Sequence, residues 1–135
     1  MRAVLDTNIL ISAFVFPGGP PEAVYRLAIE RRIELVTSPD ILAEFGRILL
    51  EKFDWDPTKV ELAVAQVART GTVVRPAEVV RVIAEDPEDD RILEAARAAG
   101  AEVVVSGDRH LLRLGEWQGI RILRAAGLLD ELSGR

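Results

Sequence analysis

Apolar residues follow two rhythms along the chain. Short unbroken runs at Ala3 to Leu5, Ile33 to Thr37, Thr72 to Val74, Glu102 to Val105 and Ile120 to Leu123 read as strands. Between them, apolar positions recur at three- and four-residue intervals: Ile9, Leu10, Ala13 and Phe14, then Ala23, Val24, Leu27 and Ala28, then Ile41, Leu42, Phe45, Ile48 and Leu49. Further stripes run from Pro57 to about Arg69, through Ile92, Leu93, Ala95, Ala96 and Ala99, and from Ala126 to Leu132. These spacings predict amphipathic helices. Local punctuation agrees. Pro20-Pro21 opens the second helix after the loop at Phe16 to Gly19, and it runs to about Arg32; Ser38-Pro39, Asp56-Pro57 and Asp86-Pro87 pair a capping side chain with proline at the first helical position. Gly100 is placed to end the helix before it. Phe53 to Asp56 is a connector that Trp55 packs onto the domain, and Val79 to Ile83 is apolar without a clear period. Strands alternating with helices predict an α/β fold with a central, mostly parallel sheet.

Acids stand at the ends of two of these strands. Asp6 follows the first run, and Asp108 follows Val105 through Ser106-Gly107. In a parallel sheet such ends share one edge, the edge where ligands bind. Glu44 flanks the stripe of the third helix, and Glu85 to Asp90 is the densest acidic stretch. Each acid also has a structural alternative. Asp6 is a candidate N-cap, Glu44 can reach solvent or pair with Arg47, and Asp86, Glu88 and Asp89 suit the positive end of a helix. Capping explains Asp90 least.

Charge and composition narrow the chemistry. The 135 residues suit one domain spanning 1–135, large enough for its own core. No cysteine is present and His110 is the only histidine, which excludes thiolate chemistry and makes a His-rich zinc site or a Ser-His-Asp triad a poor fit. No run approaches the roughly 20 apolar residues of a membrane span, and no signal-peptide pattern precedes the first strand, so a cytoplasmic protein is expected. The net charge of -5 argues against a binder that works by bulk positive charge, unless the acids are gathered to hold cations. Clustered carboxylates repel, and a site built from them alone selects hard ions, Mg²⁺ or Mn²⁺. One or two such ions generate hydroxide and stabilise a phosphodiester transition state. Thr7, Asn8 and Ser106 are placed to orient the carboxylates or a water.

Four stretches, in order, resemble the PIN-domain ribonucleases: Val4 to Leu10, Glu44 on the helix after the second strand, Asp86 to Ala96, and Val103 to Leu112. The resemblance spans Ala3 to about Leu123 and looks closest to the VapC-like toxins of toxin–antitoxin systems. It implies a three-layer α/β/α sandwich (PIN-like), Mg²⁺- or Mn²⁺-dependent cleavage of single-stranded RNA, an antitoxin partner and a homodimer. Carried over by position, Asp6, Glu44, Asp90 and Asp108 would bind the metal, with Asn8 and Ser106 in support. The third stretch offers Asp86, Asp89 and Asp90; register with Ile92-Leu93 and Ala95-Ala96 favours Asp90, with Asp86 as runner-up. Arg91, Arg109, His110 and Arg113 would steer phosphates or simply form solvated helix surface, and His110 is left out of the core of the site.

Other readings fit less well. A haloacid-dehalogenase-like phosphatase needs an acid where Asn8 stands, and a receiver domain needs an early acid pair and a late lysine, whereas the lysines are Lys52 and Lys59. A non-catalytic domain that binds RNA or an antitoxin is the alternative from a different class.

Overall fold

The computed structural model describes residues 1–83 and 85–134. Among the described residues, six strands form one sheet: β1 (Arg2–Leu5), β2 (Glu34–Thr37), β3 (Thr72–Val73), β4 (Val103–Val105), β5 (Glu116–Trp117) and β6 (Ile120–Leu123). Their order is β3-β2-β1-β4-β6-β5, parallel throughout except for the β5–β6 pair. The helices of the described residues are α1 (Thr7–Val15), α2 (Pro20–Ile29), α3 (Pro39–Glu51), α4 (Pro57–Thr70), α5 (Pro87–Ala99), α6 (Arg109–Leu114) and α7 (Ala125–Leu132). Strand order runs outward from β1 to β3 and then returns to β4 on the other side of β1. Right-handed crossovers in opposite directions put helices on both faces of the sheet, giving the expected α/β sandwich. The gap between β1 and β4 is thus the topological switch point, where strand ends splay and ligands bind.

The core follows the predicted rhythms. Ala3, Val4 and Leu5 pair in parallel with Val103, Val104 and Val105, and all six are fully buried. Helix starts obey local chemistry. The Ser38 hydroxyl accepts from the Ile41 N–H at 3.2 Å, and the Asp56 carboxylate accepts from the Thr58 N–H at 2.8 Å. Trp55 packs on the core, with the Lys59 ammonium 4.2 Å from its ring centroid. Helix α3 is held tightly on both sides: Phe45 is fully buried, and a β-carbon on Gly46 would come within 3.1 Å of Val64 in α4. This clamp fixes where Glu44 sits.

Three features depart from expectation. Helix α2 ends at Ile29 rather than near Arg32, and Arg31 takes a left-handed φ of 60° to turn the chain into β2. Strand β5 adds an antiparallel hairpin ahead of β6, turned at Gln118 and Gly119, which have φ of 51° and 80°. The stretch Val79 to Ile83 forms neither helix nor strand, yet Val80 and Ile83 are buried. Its backbone is held by helix α5: Glu94 accepts from the Val80 N–H at 2.8 Å, and Asp90 Oδ1 accepts from Val82 and Ile83 at 3.0 and 2.9 Å.

Candidate metal centre

The parallel register across β1 and β4 brings two distant residues side by side. The Asp6 N–H donates to the Val105 carbonyl at 2.9 Å, one step beyond the last paired residues. The Ser106 hydroxyl then donates to Asp6 Oδ2 at 2.7 Å and accepts from the Asp108 N–H at 2.9 Å. Asp6 occupies the N-cap position of α1, but its side chain makes no capping bond. Its carbonyl receives the Ile9 and Leu10 N–H groups instead, leaving the carboxylate turned to the sheet edge. The capping alternative is therefore set aside for this side chain.

Helix α5 delivers the second half of the cluster. It packs across β1, β2 and β4 and meets α3, so its N-terminus lies over the switch point. Asp86 caps it, accepting from the Glu88 N–H at 3.1 Å, and Asp89 lies one turn further in, 6% exposed. Oxygens of Asp86, Asp89 and Asp108 and a ring nitrogen of His110 all lie within 4.8 Å of one another. Asp6 borders this group, close enough for its charge to act on Asp89 and to be acted on by Asp86 and Asp108.

The electrostatics are those of uncompensated carboxylates. Burial pushes Asp6 up to about 6 against the opposing Ser106 hydrogen bond, and the charges of Asp108 and Asp86 add to the rise. Asp89 is pushed up to about 8, first by burial, then by Asp108 and Asp86, and its carboxyl is near enough to Asp108 to share a proton. Among the described residues, no lysine or arginine forms an ion pair with Asp6, Asp86, Asp89 or Asp108. Asp89 Oδ2 and His110 Nδ1 are buried without a hydrogen-bond partner. A buried acid in this state either holds a proton or takes up a cation. The donor set, orphaned atoms included, fits a divalent ion.

Several expected residues take other places. Asp90 is turned away: it is 4% exposed, and its Oδ1 is committed to the Val82 and Ile83 N–H groups. The acids of the third stretch that lie beside Asp108 are Asp86 and Asp89. Asp86 and Asp89 share one face of α5 at three-residue spacing, while Asp90 and Glu94 share the next at four. Glu44 is half-buried at the rim, pushed up to about 7 by burial, then by Glu88 and Asp6. Arg47 forms its ion pair with Glu51 at 3.2 Å rather than with Glu44. Asn8 is exposed on the first turn of α1, and Thr7 is buried with its hydroxyl unpartnered.

Of the basic residues, Arg91 is used internally, pairing with Glu94 at 2.8 Å. Arg109 and Arg113 are exposed on α6 immediately after Asp108. His110 was missed as a member of the cluster. Its only sequence signal is its place two residues beyond Asp108, where the capping of α6 holds it close. The cavity lined by Phe14, Tyr25 and Ile29, with Glu22, Arg26 and Glu30, contains none of the cluster's acids.

Fold and site thus define an α/β protein with a cluster of carboxylates at the switch point of a mostly parallel sheet. Comparison with known proteins places it further: the PIN domain model matches residues 2–110, and the chain belongs to that family. An uncharacterized protein of Methanocaldococcus jannaschii is 28% identical over 118 residues, covering 84% of this chain and 75% of that protein. Three solved structures share the fold. VapBC2 from Rickettsia felis, bound to a DNA fragment from its promoter, matches with a TM-score of 0.64 at 14% identity, over 90% of this chain and 97% of that one. PAE2754 from Pyrobaculum aerophilum matches with a TM-score of 0.64 at 21% identity, over 100% and 91%. VapBC-1 from nontypeable Haemophilus influenzae matches with a TM-score of 0.62 at 18% identity, over 93% and 99%.

Proposed function

We propose that this chain is a divalent-metal-dependent endoribonuclease that cleaves single-stranded RNA, and that it is the toxin of a toxin–antitoxin pair. The observation that carries the nuclease reading is the convergence of Asp6, Asp86, Asp89 and Asp108 at the β1/β4 switch point, with no lysine or arginine paired to them among the described residues. A bound Mg²⁺ or Mn²⁺ supplies a water of lowered pKa and neutralises charge on the phosphodiester. Asp86, Asp89 and Asp108 would hold the ion, with Asp6 fixed beside them by Ser106. Glu44, with Glu88, would hold the outer side of the site or a second ion. Arg109 and Arg113 would meet the RNA backbone, where arginine binds phosphate oxygens in pairs. Family membership supports the reaction class. VapBC pairs among proteins of the same fold support an antitoxin partner, and a cytoplasmic homodimer belongs to the same reading.

The test is cleavage of a labelled single-stranded RNA by purified protein with Mn²⁺, with EDTA, and with the variants Asp6→Asn and Asp89→Asn. Metal-dependent cutting that both variants lose supports the reading. Cutting unchanged in both overturns it.

A further inference from the structure

His110 offers something the carboxylates do not. It is the only histidine in the chain, and its Nδ1 is buried with no hydrogen-bond partner. That atom lies 3.8 Å from Asp89 Oδ2 and 3.7 Å from Asp108 Oδ1. A direct imidazole–carboxylate hydrogen bond would need roughly 2.7–3.0 Å, so neither contact is one. Two donors bound to one ion at about 2.1 Å lie about 3 Å apart when adjacent and about 4.2 Å when opposed. Both observed separations fall between those limits. Asp89 supplies an independent sign that something belongs between them: it is 6% exposed, and the oxygen facing His110 is itself unpartnered.

The position is set by the chain. His110 is the second residue of α6, and its N–H donates to Asp108 Oδ1 at 2.7 Å. One carboxylate therefore both belongs to the cluster and holds the backbone that carries the imidazole. The ring is mostly buried, with 19% of the side chain exposed, so it is not a surface cation waiting for phosphate.

We propose that His110 is a direct nitrogen ligand in the cation cluster, and that it tunes the site toward a first-row transition ion such as Mn²⁺ over Mg²⁺. The inference rests on the reading of Asp86, Asp89 and Asp108 as a cation site. Its chemical basis is donor preference: Mg²⁺ favours oxygen and keeps its waters, whereas imidazole suits transition ions. An all-carboxylate cluster would discriminate less between the two.

The test uses untagged full-length protein loaded with Mn²⁺ alone. Pulsed electron paramagnetic resonance reads nitrogen coupled to the ion, and selective ¹⁵N-histidine labelling assigns it, because one histidine leaves no ambiguity. Calorimetric titrations with Mn²⁺ and with Mg²⁺ on wild type and His110→Gln give the selectivity, with thermal melts confirming that the variant is folded. The expected result is a histidine nitrogen coupling in wild type that His110→Gln lacks. Mn²⁺ affinity should also fall about tenfold or more while Mg²⁺ affinity barely changes. Should His110→Gln not fold, the wild-type labelling experiment decides alone. Tight Mn²⁺ binding with no histidine coupling overturns the role of His110 and leaves the carboxylate cluster standing. Failure of wild type to bind either ion overturns both.

Discussion

Ser106 and Asp6 are 100 residues apart in sequence, yet the Ser106 hydroxyl donates to the Asp6 carboxylate at 2.7 Å. The same oxygen accepts from the Asp108 N–H at 2.9 Å, so one fully buried hydroxyl ties the ends of β1 and β4 to the first residue of the following helical turn. Replacing Ser106 by alanine removes the only hydrogen bond opposing burial at Asp6 from a side chain, and strands the Asp108 N–H. We expect a stability loss of about 1–3 kcal/mol. Metal affinity should fall about 10- to 100-fold, the usual effect of losing a group that orients a ligand. Thermal melts and calorimetric titration with Mn²⁺ read the two effects separately.

Asp89 and Asp90 are adjacent but serve different structures. Asp89→Asn should abolish Mn²⁺ binding; above about pH 8, where the carboxyl is charged, it should also stabilise the metal-free protein, because it removes a buried charge among like charges. Asp90→Asn keeps an acceptor oxygen for the Val82 and Ile83 N–H groups and should bind Mn²⁺ nearly as wild type does. Asp90→Ala should loosen the Val79 to Ile83 stretch and cost about 1–3 kcal/mol. Hydrogen exchange at those amides, alongside metal titrations, separates the roles. Loss of binding in Asp90→Asn equal to that in Asp89→Asn would return Asp90 to the site.

Stability of the metal-free protein should depend on pH in a direction set by this cluster. Asp6, Glu44 and Asp89 are raised from 3.8, 4.5 and 3.8 to about 6, 7 and 8. The folded state therefore binds more protons than the unfolded state between about pH 4 and 8, and its stability falls as pH rises through that window. The stabilising contribution is complete below about pH 4 and gone above about pH 8. For buried Asp6 alone it is on the order of 3 kcal/mol. Denaturant melts at pH 5 and pH 8 in EDTA should show the drop, and Mn²⁺ at pH 8 should reverse it. A metal-free stability that rises over this range would contradict the arrangement.

Arg109 is exposed beside the cluster and makes no ion pair among the described residues. Arg109→Ala should weaken binding of a non-cleaved RNA and flatten its salt dependence by about one phosphate contact. Metal affinity should stay as it is. Filter binding across salt concentrations, in the Asp6→Asn background proposed to be inactive, measures this.

Helix starts were legible in sequence because a cap is decided within three or four residues. Ser38-Pro39 and Asp86-Pro87 carry the capping oxygen and the fixed φ together, and both start helices where expected. The switch point was legible too, because β1 and β4 are short buried runs ending on acids. The hairpin strand Glu116–Trp117 was not: two residues carry no periodicity, and it forms through the turn at Gln118-Gly119 and pairing with β6. Choosing between Asp89 and Asp90 needed the rotation of α5 about its axis. One residue turns a helix by about 100°, and what Asp90 faces is an irregular stretch with no pattern of its own. His110 escaped because a lone histidine gains meaning only from the atoms its ring is folded against.

The cluster at the β1/β4 edge is expected to hold a divalent ion. A crystal grown with Mn²⁺ and measured for anomalous scattering at the manganese edge tests this most directly. The expected result is a peak bounded by Asp86, Asp89, Asp108 and His110, with Asp6 beside it and Asp90 still bonded to Val82 and Ile83. No peak there at saturating Mn²⁺, or Asp90 turned in to bind the ion in place of Asp89, would contradict it.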